Sequence, residues 1–172
     1  MRVLTYYAVR YRLDQVEACL IWYTNARDGF FVDEHGRIPA FRDRAQLQAY
    51  AQIRGIDVDD DAAVRITDLD LLQRWLLCPE NTVSEPAALL SAWNLFLDVA
   101  FSVESRAYIE IYERANKSFA KLATAQNTCP RTASSPNTVP HWTPHDKEVV
   151  RIALRAGLKL FRAYVRAYCD PG

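Results

Sequence analysis

Six aspartates fall close together in the middle of the chain: Asp57, Asp59, Asp60, Asp61, Asp68 and Asp70. Carboxylates at this density can do two kinds of chemistry. They can hold a hard cation through oxygen ligands. They can also offer a negative surface to a basic partner, which speeds association and selects among partners. The alternation at Asp57, Asp59 and Asp61 is similar to part of a calcium loop, but the central Gly and later bidentate Glu of an EF-hand are missing. A solvated loop is the plain alternative, and a partner-facing acidic patch is the functional one. Three further groups need weighing. His141 and His145 stand four residues apart, with Cys129 twelve residues before the first. A structural zinc site wants four ligands, usually with a close second Cys, and Pro144 works against a helical pairing of the imidazoles. Asn94 and Asp98 are four apart on a strongly apolar segment, where they can form a polar site or tie neighbouring backbone groups. Lys147, Arg151 and Arg155 share one face of a C-terminal helix, with Tyr164 and Tyr168 available for stacking on bases.

Composition narrows these options. The 172 residues carry 21 basic and 21 acidic side chains. That balance conceals a polarity. Residues 1–56 hold eight basic and six acidic residues, residues 57–104 ten acidic against Arg65 and Arg74, and residues 105–172 eleven basic and five acidic. Such segregation points to a surface used electrostatically, or to acidic and basic parts that meet inside one fold. A pI near 6.8 argues against a dedicated nucleic-acid domain. No G-x-S-x-G is present, and the five glycines form no phosphate-binding loop. Catalysis, a cofactor and a resident metal are therefore not expected. Cys19, Cys78, Cys129 and Cys169 are scattered without a disulfide framework. With no leader or anchor pattern at the N-terminus, a cytoplasmic protein with reduced thiols is the expectation.

The elements that must position these groups read as follows. Residues 3–12 and 18–24 are Val- and Tyr-rich strands joined by a short turn with Asp14. Residues 30–32 and 37–41 flank Asp33-Glu34-His35-Gly36, a hairpin signal. Residues 43–53 form a helix stopped by Gly55. An acidic loop or strand edge at 56–61 and a short strand at 63–66 lead to a helix at 69–77, capped by Asp68. Residues 84–103 form the central helix, with a cap at Ser84, apolar residues round most of its circumference, and Ser91, Asn94, Asp98 and Ser102 as one narrow polar stripe. A helix at 106–125, a proline-containing loop at 126–143 and a helix from Thr143-Pro144 to about residue 168 complete the chain. Strands first and helices after predict a single α+β domain over 1–172, strand-rich over 1–66 and helical over 67–172. Its architecture is a small N-terminal antiparallel sheet packed against a C-terminal helical bundle.

Two stretches together carry a resemblance: DLDLLQRWLL at 68–77, and LLSAWNLFLDVAFSV at 89–103 with its W-N-L-F-x-D centre at Trp93, Asn94, Leu95, Phe96 and Asp98. The chain resembles a group of small bacterial α+β proteins, the immunity proteins of contact-dependent growth inhibition and related polymorphic-toxin systems. Its last helix and the Pro/Trp-containing segment before it, 139–167, are similar too. The resemblance implies a non-catalytic protein that binds the C-terminal domain of a cognate toxin and blocks its active site. Many such toxins are nucleases with basic surfaces. Asp57, Asp59, Asp60, Asp61, Asp68 and Asp70 are the candidate partner-binding residues, chosen by charge density rather than by a family motif. Neither nucleic acid nor membrane is an expected partner. The competing readings are a nucleic-acid-binding or regulatory module that uses the basic C-terminal helix, and a small enzyme with its site at Asn94/Asp98 or at His141/His145.

Overall fold

The computed structural model describes residues 4–59, 66–78, 86–127 and 141–169. Asp60, Asp61, Ser84, Cys129 and most of the 126–143 loop lie outside the described residues, as do positions 63–65 of the strand expected before the second helix.

The chain opens with a long hairpin. Strands β1 (Thr5–Leu13) and β2 (Val16–Thr24) pair antiparallel throughout, from Thr5 opposite Thr24 to Leu13 opposite Val16. The two turn residues, Asp14 and Gln15, have φ of 54° and 63°. That left-handed geometry matches the twist of the strands but is unfavourable for residues with a Cβ. Strand β3 (Gly29–Phe30) extends the sheet antiparallel to β2. Ahead in the chain, β5 (Val58–Asp59) and β6 (Ile66–Asp68) both run parallel to β1 along its outer edge. The α+β class is as expected, and the sheet is mixed rather than purely antiparallel.

Alternation along the hairpin creates two apolar faces. Val9, Tyr11, Ala18, Leu20 and Trp22 pack towards a helical bundle. On the other face Ala8, Cys19 and Ile21 meet α1 (Arg44–Ile53) through Leu47, Tyr50 and Ala51. The sheet is thus a middle layer between α1 and the bundle. Asp43 caps α1 by accepting from Gln46 N at 2.8 Å, and Gly55 (φ 66°) follows its end.

The bundle comprises α2 (Leu69–Leu77), α3 (Pro86–Ser102), α4 (Arg106–Asn127) and α5 (Pro144–Tyr164). The centre is α3, which touches α2, α4, α5 and the sheet. Trp93, Phe96, Val99 and Ala100 are fully buried. Its polar stripe changes role along its length: Ser91 and Asn94 are exposed, whereas Asp98 and Ser102 turn to the sheet. Close approach to α5 needs Gly157, where a Cβ would stand 2.2 Å from Phe96 Cδ2. A capping box opens α5: Thr143 Oγ1 accepts from Asp146 N at 3.1 Å and the Asp146 carboxylate accepts from Thr143 N at 3.0 Å.

Two local expectations change. The last helix stops at Tyr164, because the next residues form β7 (Val165–Ala167), parallel to β4 (Ile38–Ala40). The Asp33-Glu34-His35-Gly36 turn forms, with Asp33 Oδ1 accepting from His35 N and Arg37 N at 2.9 Å each. Its flanks nevertheless part, β3 pairing with β2 and β4 with β7. Backbone ladders offered by distant segments outcompete the local hairpin and the last helical turn.

Candidate functional site

The described candidate aspartates fall in two groups along one edge of the sheet, Asp59 and Asp68 in its edge strands and Asp57 and Asp70 next to them in sequence or on α2 (Leu69–Leu77). Val58 lies beside Tyr6 and Asp59 beside Tyr7, whereas Asp68 lies beside Arg12. Tyr7 and Arg12 are five steps apart along β1, a distance of roughly 17 Å at strand rise.

At the far end, Asp68 and Asp70 serve the fold. Asp68 caps α2 by accepting from Leu71 N at 2.9 Å and lies 3.7 Å from the Arg12 guanidinium. Asp70 holds the strained hairpin turn: Oδ1 accepts from Asp14 N at 2.6 Å and Oδ2 from Gln15 N at 2.9 Å. Arg162 of α5 and Gln73 of α2 donate to the Asp14 carboxylate at 2.9 and 3.0 Å, and together they hold its carboxyl below the usual range. Glu17 lies nearby and accepts from Arg12 and Arg10. Glu17, Asp68 and Asp70 line an open depression of about 620 Å³ together with Arg12, Gln15 and Arg74.

At the near end, Asp57 and Asp59 are exposed at a short edge strand. Asp57 borders an open depression of about 480 Å³ with Gln48, Gln52 and Gly55. Ile53, 83% exposed, stands at the end of the same helix. An exposed acidic rim of this kind is suited to contact with a basic protein surface. Asp60 and Asp61, next in sequence, are outside the described residues.

The Asn94/Asp98 pair separates. Asp98 Oδ2 accepts from Trp22 Nε1 at 3.0 Å. Burial raises its carboxyl to about 6; the Trp22 bond opposes that shift and nearby Asp28 adds to it. Ser102 Oγ accepts from Phe30 N at 2.7 Å and donates to the carbonyl of Asp98 at 2.6 Å. These bonds tie α3 to β2 and β3, so their role is to join layers.

The other candidates are dispersed. His141 and His145 are exposed, and the His141 carbonyl accepts from Lys121 Nζ at 3.4 Å. Among the described residues, no group of three or more His, Cys, Asp or Glu side chains is placed to hold a metal ion. On the basic helix, Arg151 makes a two-pronged pair with Glu148 at 2.8 and 2.6 Å, and Arg162 is bound to Asp14. Tyr168, half-buried, packs against Tyr50 and Phe41 beneath α1, with ring centroids 4.9 and 5.3 Å apart. Among the described residues, no helix is long and apolar enough to cross a membrane.

One concave region had no signal in the sequence. A depression of about 300 Å³ opens where the 33–37 turn, α1 and β7 meet, with Arg37, Arg54 and Arg166 in its wall. Its parts lie far apart in the chain and are joined by the β4–β7 pairing, the Arg54–Glu34 ion pair and the packing of Tyr168 on Tyr50.

No family model matches the chain. No curated protein matches it significantly. Among solved structures, the chain is similar to the one described as the crystal structure of SatS c-terminal domain in complex with bromine. The identity is 16% and the TM-score 0.56, over 95% of this chain and 94% of that one. At that identity the likeness concerns the fold alone.

Proposed function

We propose that this protein is a cytoplasmic immunity protein that binds a cognate toxin domain and blocks its active site. The observation that carries the reading is the placing of the described candidate carboxylates along one edge of the sheet, with Asp57 and Asp59 exposed. An inhibitor of a nuclease needs a surface that mimics the charge of the substrate, and exposed carboxylates supply it. Their field speeds encounter with a basic partner, and the contacts at the rim select the cognate one. The resemblance to polymorphic-toxin immunity proteins supplies the partner class. The residues that carry it, Trp93 and Phe96 among them, are buried core and bear on the fold.

Within this reading the two acidic groups divide the work. Asp57 and Asp59 meet the partner. Asp68 and Asp70 contribute charge to the surrounding field but are held by α2 and the hairpin turn. The test is co-expression with the C-terminal domain encoded by the adjacent upstream reading frame, scoring a stoichiometric complex and rescue of growth. Complex and rescue are expected. Asp57→Lys with Asp59→Lys should then slow association and flatten its dependence on salt. Absence of both complex and rescue overturns the reading for that pair. Salt-sensitive binding to generic DNA or RNA would favour the basic-helix alternative instead.

A further inference from the structure

We propose that the cleft between the 33–37 turn, the end of α1 and β7 binds a small organic anion through Arg37 and Arg166. The cleft has a volume of about 300 Å³, at the small end of the range for ligand sites. Three guanidinium groups line it, Arg37, Arg54 and Arg166, against the carboxylates of Asp33 and Glu34. Both carboxylates are already engaged. Asp33 accepts from two backbone N–H groups of its own turn, and Glu34 pairs with Arg54 at 3.0 Å. Arg54 is further held over the Tyr50 ring, 4.9 Å from its centroid.

Arg37 and Arg166 differ from Arg54. Among the described residues, neither has a carboxylate partner in ion-pair range. Arg166 stands opposite Pro39 in the β4–β7 ladder, so it emerges beside the segment that carries Arg37. It is also anchored. One nitrogen of its guanidinium donates to the carbonyls of Arg162 and Val165 at the end of α5, which fixes the group while leaving other N–H donors for a ligand. Two guanidiniums with spare donors in one cleft match a carboxylate or phosphate, which each can grip with two parallel bonds. Partly buried Tyr168 supplies an aromatic wall for the rest of the ligand. The proposal does not depend on the immunity reading, because the cleft and the acidic edge share no residue.

The experiment is calorimetric titration of the full chain with inorganic phosphate and, separately, with succinate, at ionic strength matched with sodium chloride. Saturable binding of at least one probe is expected, and which one binds distinguishes a phosphorylated from a carboxylated ligand. Arg37→Gln should weaken binding by about tenfold, the loss expected for one charge-assisted hydrogen bond. Arg155→Gln, on an exposed face of α5 outside the cleft, should leave it unchanged. Arg166→Gln should act like Arg37→Gln. If it lowers the melting midpoint as well, the Arg37 variant alone decides, because the Arg37 side chain holds no element in place. Absence of saturable binding by both probes overturns the proposal. So does equal weakening by Arg37→Gln and Arg155→Gln, which would indicate charge attraction without a site.

Discussion

The two ends of the β1 edge carry the same side chain in opposite employment. At the hairpin end, Asp68 and Asp70 point their oxygens at backbone N–H groups of a helix terminus and a left-handed turn. At the other end, Asp57 and Asp59 stand at a two-residue strand with their carboxylates exposed. Charge density treats all four alike. Hydrogen-bond geometry sets Asp68 and Asp70 apart: their carboxylates satisfy orphan donors of a helix terminus and a turn, and so are part of the fold. Asp98 marks a third case, a carboxylate held between layers by one indole N–H.

This ranking of aspartates is open to direct test, starting where the effect is largest. Asp98 has a carboxyl raised to about 6 from an ordinary 3.8. A raised carboxyl means that folding favours the protonated form. Below pH 3.8 the group is protonated in both states and costs nothing. As pH rises from there through 6, ionisation destabilises the fold, by about 3 kcal/mol once complete. Asp98→Asn keeps an acceptor for Trp22 and removes the charge. Denaturant unfolding should find the variant more stable than the parent at pH 8 and the two converging near pH 4. A pH-independent difference would mean that Asp98 is solvated and belongs with the exposed group.

The next effect concerns the hairpin turn. Asp70→Ala removes both acceptors of the Asp14 and Gln15 N–H groups, and should lower stability by about 2 kcal/mol. Gln15→Gly should recover about 0.5–1 kcal/mol, because glycine enters the left-handed region freely. A double-mutant cycle on unfolding midpoints reads the coupling. Simple additivity would show that Asp70 does not hold the turn, and would return it to the partner-binding group.

The smallest effect completes the comparison. Asp68→Ala removes an N-cap and should destabilise by about 1 kcal/mol. Asp57→Asn should alter stability by less than about 0.5 kcal/mol, while it slows binding to the toxin domain. Thermal melts paired with association kinetics separate the two. A large stability loss at Asp57 would collapse the distinction between the ends.

Local chemistry made much of this legible in advance. Asp68 caps α2 as its position before an apolar helical run required, and Thr143-Pro144 opens α5 with Asp146 closing the box. The buried character of α3 followed from apolar residues round most of its surface. Such signals concern neighbours within one helical turn, and no distant segment competes for them. The candidate site was legible only as a cluster of acids. That Asp70 is bound into the fold depended on a donor 56 residues away, the N–H of Asp14.

By itself, then, the sequence determined the α+β class, the two opening strands and their turn, the caps at Asp68 and Thr143 and the identity of the central helix, because periodicity and capping act over a few residues. Tertiary structure alone decided the parallel edge strands, the conversion of residues 165–167 from helix to strand, the division of the aspartates and the arginine-lined cleft. Each depends on backbone hydrogen bonds or charges supplied by a remote part of the chain. Local propensity is too weak to forecast which remote partner will win.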